Sequence, residues 1–191
     1  MHRAADTGPA GPWTLEDVKS PAWAPQQRAT LLFVVHDGQI LLIHKKRGLG
    51  RGKINGPGGR LEPGETAREA AIREVREEVG VDVRTAHGAG RLKFQFTDGL
   101  SLDVIVFTAE GCEGTPVETD EAVPLWAPTA AIPYGRMWPD DVHWVPMMLA
   151  GQPFLGHFLF DGETLMAHDV AVVDRGAIEL ACGERHGQAA G

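Results

Sequence analysis

The chain contains 191 residues, of which 43% are hydrophobic and 23% are charged, and it carries a net charge of -8 at neutral pH. This length and balance are typical of one globular domain with a sizeable core, and they exclude a chain that is disordered throughout. The acidic balance argues against a general surface for polymeric nucleic acid, because such surfaces need clustered Lys and Arg to replace phosphate counterions.

The N-terminal segment, residues 1–28, is an extension rich in Pro and Ala, a composition that excludes a long regular element there. Trp13 and Trp23 are unusual in such a segment, because large aromatic side chains normally pack against other groups. We therefore expect part of the extension to pack on the domain or on a partner, with a short helical turn over residues 14–19.

The main domain is expected over residues 29–175, and it begins with two strand-like runs at residues 30–36 and 39–45. Asp37-Gly38 between them predicts a two-residue hairpin turn of a primed type. A glycine-rich loop follows over residues 48–64. Its glycines allow backbone amides and carbonyls to approach a ligand or metal, whereas the alternative interpretation is a flexible surface connection.

A helix is predicted over residues 67–79. Thr66 and Glu69 have the spacing of a capping box at its start, and Gly80 suits its end. The small and aliphatic side chains on one face of this helix can be buried; they are Ala67, Ala71, Val75 and Val79.

The same helix carries Glu74, Glu77 and Glu78 at helical spacing, so their carboxylates project together. Like charges in that arrangement repel, whereas a hard divalent cation binds clustered oxygens and retains waters for a phosphate substrate. Taken alone, three glutamates on one face would favour a charged, solvated helix with no ligand.

Further strand-like runs lie after this helix, at residues 81–84, 89–96, 102–108, 154–160 and 164–173. The last two are expected to pair across a turn at Asp161-Gly162. A second helix should begin near Pro139, with an apolar stripe formed by Val142, Val145, Met148 and Leu149. The elements together predict an α/β (α+β) fold with a mixed sheet between helices, followed by a flexible tail over residues 176–191.

Residues 59–81 carry a longer pattern than the acidic face alone: GRLEPGETAREAAIREVREEVGV. The specified positions are Gly59, Glu65, Arg73, Glu74, Val75, Glu77, Glu78, Gly80 and Val81. This run resembles the box of the Nudix hydrolases, and chance agreement over so many positions is improbable. The resemblance implies an α/β/α sandwich with the acidic helix lining the active site.

The same resemblance implies a metal centre. Mg²⁺, with Mn²⁺ as a substitute, would be held by Glu74, Glu77, Glu78, Glu121 and the backbone carbonyl of Gly58. Arg73 would orient the site by pairing with Glu65, although a surface ion pair is the alternative. One box glutamate or Glu121 would take a proton from the attacking water, and the choice between them stays open.

Four segments outside the box resemble one type within this family, the oxidised purine nucleoside triphosphatases of the animal MutT-homologue type. They are KKRGLGRGKINGPGG (45–59), KFQF (93–96), GTPVETDE (114–121) and MWPDDVHWVP (137–146). Enzymes of this type hydrolyse 8-oxo-dGTP, and in some members 2-hydroxy-dATP, to the monophosphate and diphosphate. The resemblance implies a role in keeping damaged purines out of DNA.

By matching position, the resemblance also implies a pocket for the base. Asn55 would hydrogen-bond the base and Asp140 with Asp141 would read its polar edge. The remaining lining residues would be Thr30, Lys45, Phe94 and Trp138. Two adjacent carboxyls in a partly dry pocket cannot both ionise easily, so we expect a raised pKa and a proton on one of them.

Simpler interpretations of these residues exist. Asp140 and Asp141 could compensate a helix dipole, and Asn55 could be a turn residue before a glycine. Phe96 and Trp144 could belong only to the core. Leu49 and Ile54 depart from the resembling sequences, which carry aromatic residues there, and this bears on the choice between oxidised guanine and oxidised adenine.

Two other functions remain open from the sequence. One is a Nudix hydrolase of ADP-ribose or of dinucleoside polyphosphates, if the pocket residues serve only in packing. The other is a binding module that has kept the fold and lost catalysis, although no box carboxylate is missing here. Binding of Mg²⁺ at the glutamates would separate such a module from either hydrolase.

Cysteine usage and the chain start predict the compartment. Cys112 and Cys182 are too few for a disulfide framework and lack metal-ligand spacing. The first residues lack the apolar core of a signal peptide, and the longest apolar runs are strand-sized. We therefore expect a cytoplasmic monomer that acts on a small nucleotide and has no membrane contact.

Overall fold

The computed structural model of the protein describes residues 12–183. Within that range eight strands form one sheet: β1 (Gln27–His36), β2 (Gln39–Lys45), β3 (Ile54–Asn55), β4 (His87–Phe96), β5 (Ser101–Ala109), β6 (Ala122–Pro128), β7 (Phe154–Asp161) and β8 (Thr164–Val172). The α-helices of the same range are α1 (Leu15–Lys19), α2 (Ala67–Val79), α3 (Asp141–Leu149) and α4 (Arg175–Gly183). The sheet is mixed and helices flank it, which confirms the expected fold class.

The sheet order is β3-β2-β1-β5-β4-β7-β8, and β6 pairs with β2 along its whole length. β1 and β5 run parallel, as do β4 and β7, while the other pairs are antiparallel. β1 pairs with β2 only next to their hairpin. Farther along, β1 takes the glycine-rich loop as its neighbour, because Thr30 N–H donates to the Gly59 carbonyl at 2.8 Å and Leu32 N–H to the Pro57 carbonyl at 2.9 Å.

Apolar side chains fill both faces of the sheet. On one face α3 covers a cluster rich in aromatic rings, including Phe33, Trp144 and Phe154. On the other face α2 and α4 cover a mainly aliphatic cluster, which includes Val75 and the single phenylalanine Phe107. Alternation along the strands sends successive side chains to the two clusters, and this stabilises one strand register.

Local sequence signals place α2 as expected. The capping box of Thr66 and Glu69 is present, and Gly80 ends the helix in the left-handed conformation with φ 73°. The expected apolar face of α2 is fully buried. The first hairpin turn is confirmed as well, since Asp37 and Gly38 both have positive φ, at 48° and 71°.

Some predicted elements are wrong. Residues 81–84 form no strand; they contribute only a bridge between Asp82 and Glu113. β6 was not predicted because two prolines interrupt its strand pattern. These prolines are tolerated because β6 is an edge strand that, among the described strands, pairs only with β2. In α3, Val142 is exposed, and Trp144 is the buried side chain in its place.

The N-terminal end of the described chain is as expected, and the C-terminal end is more ordered than expected. The predicted helical turn is α1, capped by Thr14, and it packs on β7. Residues 176–183, expected to belong to a flexible tail, lie in α4, whose Ile178 and Cys182 are buried in the cluster that α2 covers. The remainder of the predicted tail, 184–191, and residues 1–11 of the extension lie outside the described residues.

Close packing at Gly90 gives a test of this sheet. A Cβ at Gly90 would lie 2.3 Å from the ring of Phe154, whereas a Cβ at Gly135 would meet nothing within 4 Å. We expect Gly90→Ala to lower the free energy of unfolding by about 1–3 kcal/mol, because the core ring must shift. Gly135→Ala, the matched control, should stay within about 0.5 kcal/mol of the parent in urea denaturation. Equal stability of the two variants would contradict this packing.

Candidate active site

Glu78 on α2 joins the helix to the glycine-rich loop. Its side chain is 2% exposed, and its carboxylate accepts a hydrogen bond from the Gly58 N–H at 2.8 Å and one from Lys45 Nζ at 3.4 Å. Burial raises the pKa of Glu78, while the charge of Lys45 and the Gly58 N–H oppose that rise. A buried carboxylate with these partners fixes both the loop and the strand β2 that carries Lys45.

Glu74 lies against the loop one turn earlier. A Cβ at Gly59 would approach the Glu74 carboxyl to 2.4 Å, so a larger residue there would force the Glu74 side chain to move. Burial raises the pKa of Glu74, Arg73 opposes this, and the negative charges of Glu77 and Glu121 raise it further. Glu74 is therefore close enough to the other three predicted carboxylates, Glu77, Glu78 and Glu121, to be repelled by each of them.

Arg73 is the centre of an ion-pair network. Its guanidinium donates to both oxygens of Glu65 at 2.9 Å, to Glu74 at 2.8 Å and to Glu77 at 3.0 Å. It also donates to the Arg60 carbonyl at 3.1 Å. These hydrogen bonds raise the pKa of Arg73 above its ordinary range and lower that of Glu65. The geometry matches the pairing expected for Arg73 and Glu65, and it ties the loop to the helix.

Glu121 reaches the site from the loop over residues 114–121. Thr119 Oγ1 donates to the Glu78 carbonyl at 2.9 Å, and the Lys46 N–H donates to the Glu121 carbonyl at 2.9 Å. The Glu121 carboxylate forms an ion pair with Arg47. These bonds hold the loop beside the C-terminal end of α2.

The donor set fits a hard divalent cation, because it consists of carboxylate oxygens and a backbone carbonyl. Within residues 12–183, no three acidic, imidazole or thiol side chains converge at metal-ligand spacing. The candidate ligands are instead paired with cations, as Glu74 is with Arg73 and Glu121 with Arg47. Cation binding would therefore require side chains such as Glu77 and Glu121, both well exposed, to rotate away from these partners.

A cavity of about 300 Å³ opens beside the carboxylates. All the residues predicted to bind the base line it: Thr30, Lys45, Asn55, Phe94, Trp138, Asp140 and Asp141. Gly58, a predicted metal ligand, also contributes to its wall. The volume is at the lower end of the range for small-molecule sites, and most of the lining is apolar.

Aromatic rings form the apolar wall of this cavity. The Trp138 ring stands edge-on to Phe96 and Phe160, with centroid separations of 6.3 Å and 5.6 Å. Phe94 stacks on Phe158 at 5.2 Å. A planar ligand between such rings would gain offset or edge contacts on its faces.

The polar end of the cavity contains two buried carboxyls. Trp144 Nε1–H donates to Asp140 at 2.9 Å, and the Trp138 N–H donates to Asp141 at 3.0 Å. Burial raises the pKa of Asp140 to about 6. Burial, followed by the charge of Asp140, raises the pKa of Asp141 well above its ordinary value. Asp140 occupies the N-cap position of α3, but its side chain makes no capping hydrogen bond there and accepts from the indole of Trp144.

Several lining residues were not predicted. Phe96 and Trp144, considered as core, are buried and line the cavity as well. Gln27, Leu102 and Phe160 were not singled out. Alternation along β1 could have revealed Gln27, because it shares a face with Ala29 and Leu31, which also line the cavity.

Asn55 and Thr30 differ in their hydrogen bonding. Asn55 Oδ1 accepts from the Gly56 N–H at 2.9 Å, which is the contact expected of a turn residue. The hydroxyl of Thr30 is buried and has no hydrogen-bond partner among the described residues. An unsatisfied hydroxyl in a cavity wall suits a site that completes its hydrogen bonds with a ligand.

Comparisons with known proteins agree with this geometry. A model of the NUDIX domain family matches residues 25–148. The oxidized purine nucleoside triphosphate hydrolase of Danio rerio is 47% identical over 75% of this chain and 89% of its own length. The protein of the same name from Mus musculus is 41% identical over 76% of this chain and 94% of its own.

Solved structures give the same fold. The mutator MutT protein from Bacillus halodurans is 26% identical and has a TM-score of 0.68 over 75% of this chain and 97% of its own. The MutT Nudix hydrolase from Burkholderia pseudomallei is 28% identical, with a TM-score of 0.53 over 56% of this chain and 86% of its own. No helix between residues 12 and 183 is long and apolar enough to cross a membrane.

The raised pKa of Asp140 predicts how stability depends on pH. An acid whose pKa rises from 3.8 to about 6 on folding destabilises the folded state as the pH increases through that interval. Replacing the wild-type carboxyl with an amide in Asp140→Asn should remove this loss. Relative to the variant, we expect the wild type to lose on the order of 1–3 kcal/mol of unfolding free energy between about pH 4 and pH 6.

Urea denaturation across this pH range measures the effect. Asp120→Asn, at an exposed position, is the matched control and should follow the wild type. Parallel pH profiles for wild type and Asp140→Asn would show that the Asp140 pKa is not raised on folding.

Proposed function

The chain belongs to the Nudix hydrolase family, and from that premise we propose that it hydrolyses oxidised purine nucleoside triphosphates to the monophosphate and diphosphate. The observation that carries this proposal is the junction between the acidic face of α2 and an aromatic cavity that contains two buried carboxyls. The zebrafish and mouse relatives bear the name of this activity. The substrates would be 8-oxo-dGTP and 2-hydroxy-dATP, and the role would be sanitation of the nucleotide pool.

Base selection would depend on Asp140 and Asp141. Burial raises the pKa of both carboxyls, so the pair is suited to hold one shared proton, with one carboxyl donating a hydrogen bond to the base while the other accepts. Oxidation at C8 or C2 changes the donors and acceptors at the edge of a purine. A donor and acceptor in fixed positions discriminate strongly, because the wrong base leaves buried polar groups unpaired.

The triphosphate would extend from the cavity toward α2. Lys45 lies at this junction, since it lines the cavity and is 3.4 Å from Glu78. Its ammonium can attract phosphate oxygens while it remains near the carboxylates. Gly58 and Gly59 of the glycine-rich loop line the cavity as well.

Nudix hydrolases generally need divalent cations, and we assign Mg²⁺ here, with Mn²⁺ as a substitute. Glu74, Glu77, Glu78, Glu121 and the Gly58 carbonyl would hold it. The chemistry that the ion supplies when bound is charge neutralisation on the triphosphate and activation of a water. Arg73 would keep the glutamates in position, and one carboxylate would accept the proton of the water.

The same proposal includes the setting of the activity. The substrate is a free nucleotide, and polymeric nucleic acid is not a partner of this acidic chain. We propose a cytoplasmic monomer, for which size-exclusion chromatography with light scattering provides a direct check.

A substrate panel tests the proposed activity. Purified protein with Mg²⁺ should be incubated with 8-oxo-dGTP, 2-hydroxy-dATP, dGTP, ADP-ribose and a diadenosine polyphosphate, and kcat/KM and products measured for each. We expect an oxidised purine triphosphate to exceed dGTP by at least about tenfold, with monophosphate and diphosphate as products. Preference for ADP-ribose or the dinucleotide would overturn the substrate assignment.

Replacement of Glu78 tests the metal assignment. Glu78→Gln keeps the size of the side chain and removes its charge, so we expect kcat to fall on the order of 100-fold. Calorimetric binding of Mn²⁺ should weaken in parallel. Glu62→Gln is the matched control at an exposed position before α2, and it should leave both quantities unchanged. Full turnover and unchanged Mn²⁺ affinity in Glu78→Gln would refute the assignment.

Replacement of Asp141 tests base selection. Asp141→Asn cannot both donate and accept in the manner of the carboxyl pair, so we expect KM for 8-oxo-dGTP to rise by about 10- to 100-fold with kcat largely kept. Preference over dGTP should fall. Asp174→Asn, an exposed control ahead of α4, should behave as wild type. If Asp141→Asn keeps the wild-type preference for 8-oxo-dGTP over dGTP, Asp141 takes no part in base recognition.

A further inference from the structure

Residues 14–26, here called the N-terminal strap, cross the face of the sheet that points away from the cavity. Most of the strap precedes residue 25, where the match to the family model begins. α1 contacts β4, β7 and β8, and the side chain of Val18 is fully buried. The strap therefore covers strands whose other face carries the aromatic wall of the pocket.

Trp23 is the principal polar anchor of the strap. Its Nε1–H donates to Gln95 Oε1 at 3.0 Å, and the Lys93 ammonium lies 5.3 Å from the centre of its ring. Lys19 adds an ion pair with Asp169 on β8 at 3.1 Å. Gln95 is fully buried, so the indole N–H satisfies an acceptor that water cannot reach.

Gln26 anchors the other end of the strap to the β4–β5 turn. Its backbone N–H donates to Ser101 Oγ at 3.0 Å, and its side-chain amide donates to the Gly99 carbonyl at 2.9 Å. Gln95 Nε2 donates to the Phe96 carbonyl at 3.0 Å and lies 3.4 Å from the Leu100 carbonyl. The strap and Gln95 together hold both sides of this turn.

Gln95 and Ser101, which the strap contacts, alternate along their strands with residues that line the cavity on the opposite face of the sheet. Phe94 and Phe96 flank Gln95 on β4, and Leu100 and Leu102 flank Ser101 on the other side of the turn. Gln95 and Ser101 are direct partners in the sheet. Since successive side chains of a strand project to opposite faces, a shift at Gln95 moves its neighbours in the cavity wall.

We propose that the N-terminal strap is a specificity-determining positioning element, which sets the width of the base pocket by fixing Gln95 and the β4–β5 turn from the opposite face of the sheet. This inference rests on the proposed function for the identity of the substrate. Trp23 does not line the cavity and is a positioning residue. The phosphate end of the site lies on α2 and the glycine-rich loop, so the strap affects the base end selectively.

Trp23→Phe in the full chain removes the N–H and keeps an aromatic ring over Lys93. We expect KM for 8-oxo-dGTP to rise about five- to tenfold, kcat to stay within about twofold, and preference over dGTP to fall. Trp126→Phe, on the exposed face of β6, is the matched control and should leave all three unchanged. Gln26→Ala should act in the same direction as Trp23→Phe, because it releases the other end of the turn.

A double-mutant cycle separates positioning from a loss of folding. If Trp23 acts through Gln95, Trp23→Phe combined with Gln95→Met should raise KM no further than Gln95→Met alone. Additive effects on KM would overturn the proposed route. A fall in kcat that parallels a loss of thermal stability, with KM unchanged, would reduce the strap to a structural role.

Hydrogen–deuterium exchange of the substrate-free variants distinguishes this inference from the proposed function. Trp23→Phe should speed amide exchange in residues 94–102 and leave residues 58–78 as in wild type. If the wild type hydrolyses no oxidised purine triphosphate, the proposed function fails, and faster exchange in residues 94–102 would still support the coupling. If the wild type is active but exchange and substrate preference are unaffected by Trp23→Phe and Gln26→Ala, the coupling fails and the function stands.

Discussion

The contact on which the site depends is the bond between the buried Glu78 carboxylate and the Gly58 N–H. A carboxylate without partners would be too costly to bury, so this hydrogen bond and the nearby Lys45 determine whether α2 can approach β1 at all. With α2 in place, the Glu74 carboxyl lies against Gly59, and a side chain at residue 59 would displace it. The close approach of α2 to β1 therefore places the acidic face of α2 beside the glycine-rich loop, and Gly58 and Gly59 of that loop line the cavity.

The acidic side chains at the two ends of the site are accommodated in different ways. At the phosphate end, acids are balanced by cations, with Arg73 at the centre of several carboxylates. At the base end, Asp140 and Asp141 have no cation among their described partners, and burial raises the pKa of each. Under the proposed function, the first arrangement would supply ligands for a cation, and the second would supply a proton for a hydrogen bond. The proposed substrate, which has a charged triphosphate and an uncharged base, would then be bound by ionic interactions at one end and by hydrogen bonds at the other.

Local signals predicted much of this structure. α2 has the expected limits because its caps are encoded by neighbouring residues, and the pocket residues inferred from the family resemblance all line one cavity. What escaped prediction depends on contacts between distant segments. β6 is a strand because β2 offers it an edge, although prolines weaken its pattern. α4 is ordered because the apolar side chains of Ile178 and Cys182 pack in the cluster shared with α2, and α4 also contacts β4. The strap is held in place because the indole N–H of Trp23 donates to the buried Gln95 side chain. A single sequence does not reveal such partners, since its patterns report only which face is apolar.

Beyond the hairpin, β1 has the glycine-rich loop as its neighbour where β2 would otherwise pair, and this arrangement affects ligand binding. Through the amides of Thr30 and Leu32, residues 57–59 are hydrogen-bonded as if they were a strand of the sheet. A loop held in this way is already ordered before ligand arrives, so little conformational entropy remains to be lost on association. In the proposed function, a nucleotide would meet residues 57–59 already in place, and the glycines would give it access to the backbone without the slow closing motion that glycine-rich loops often require.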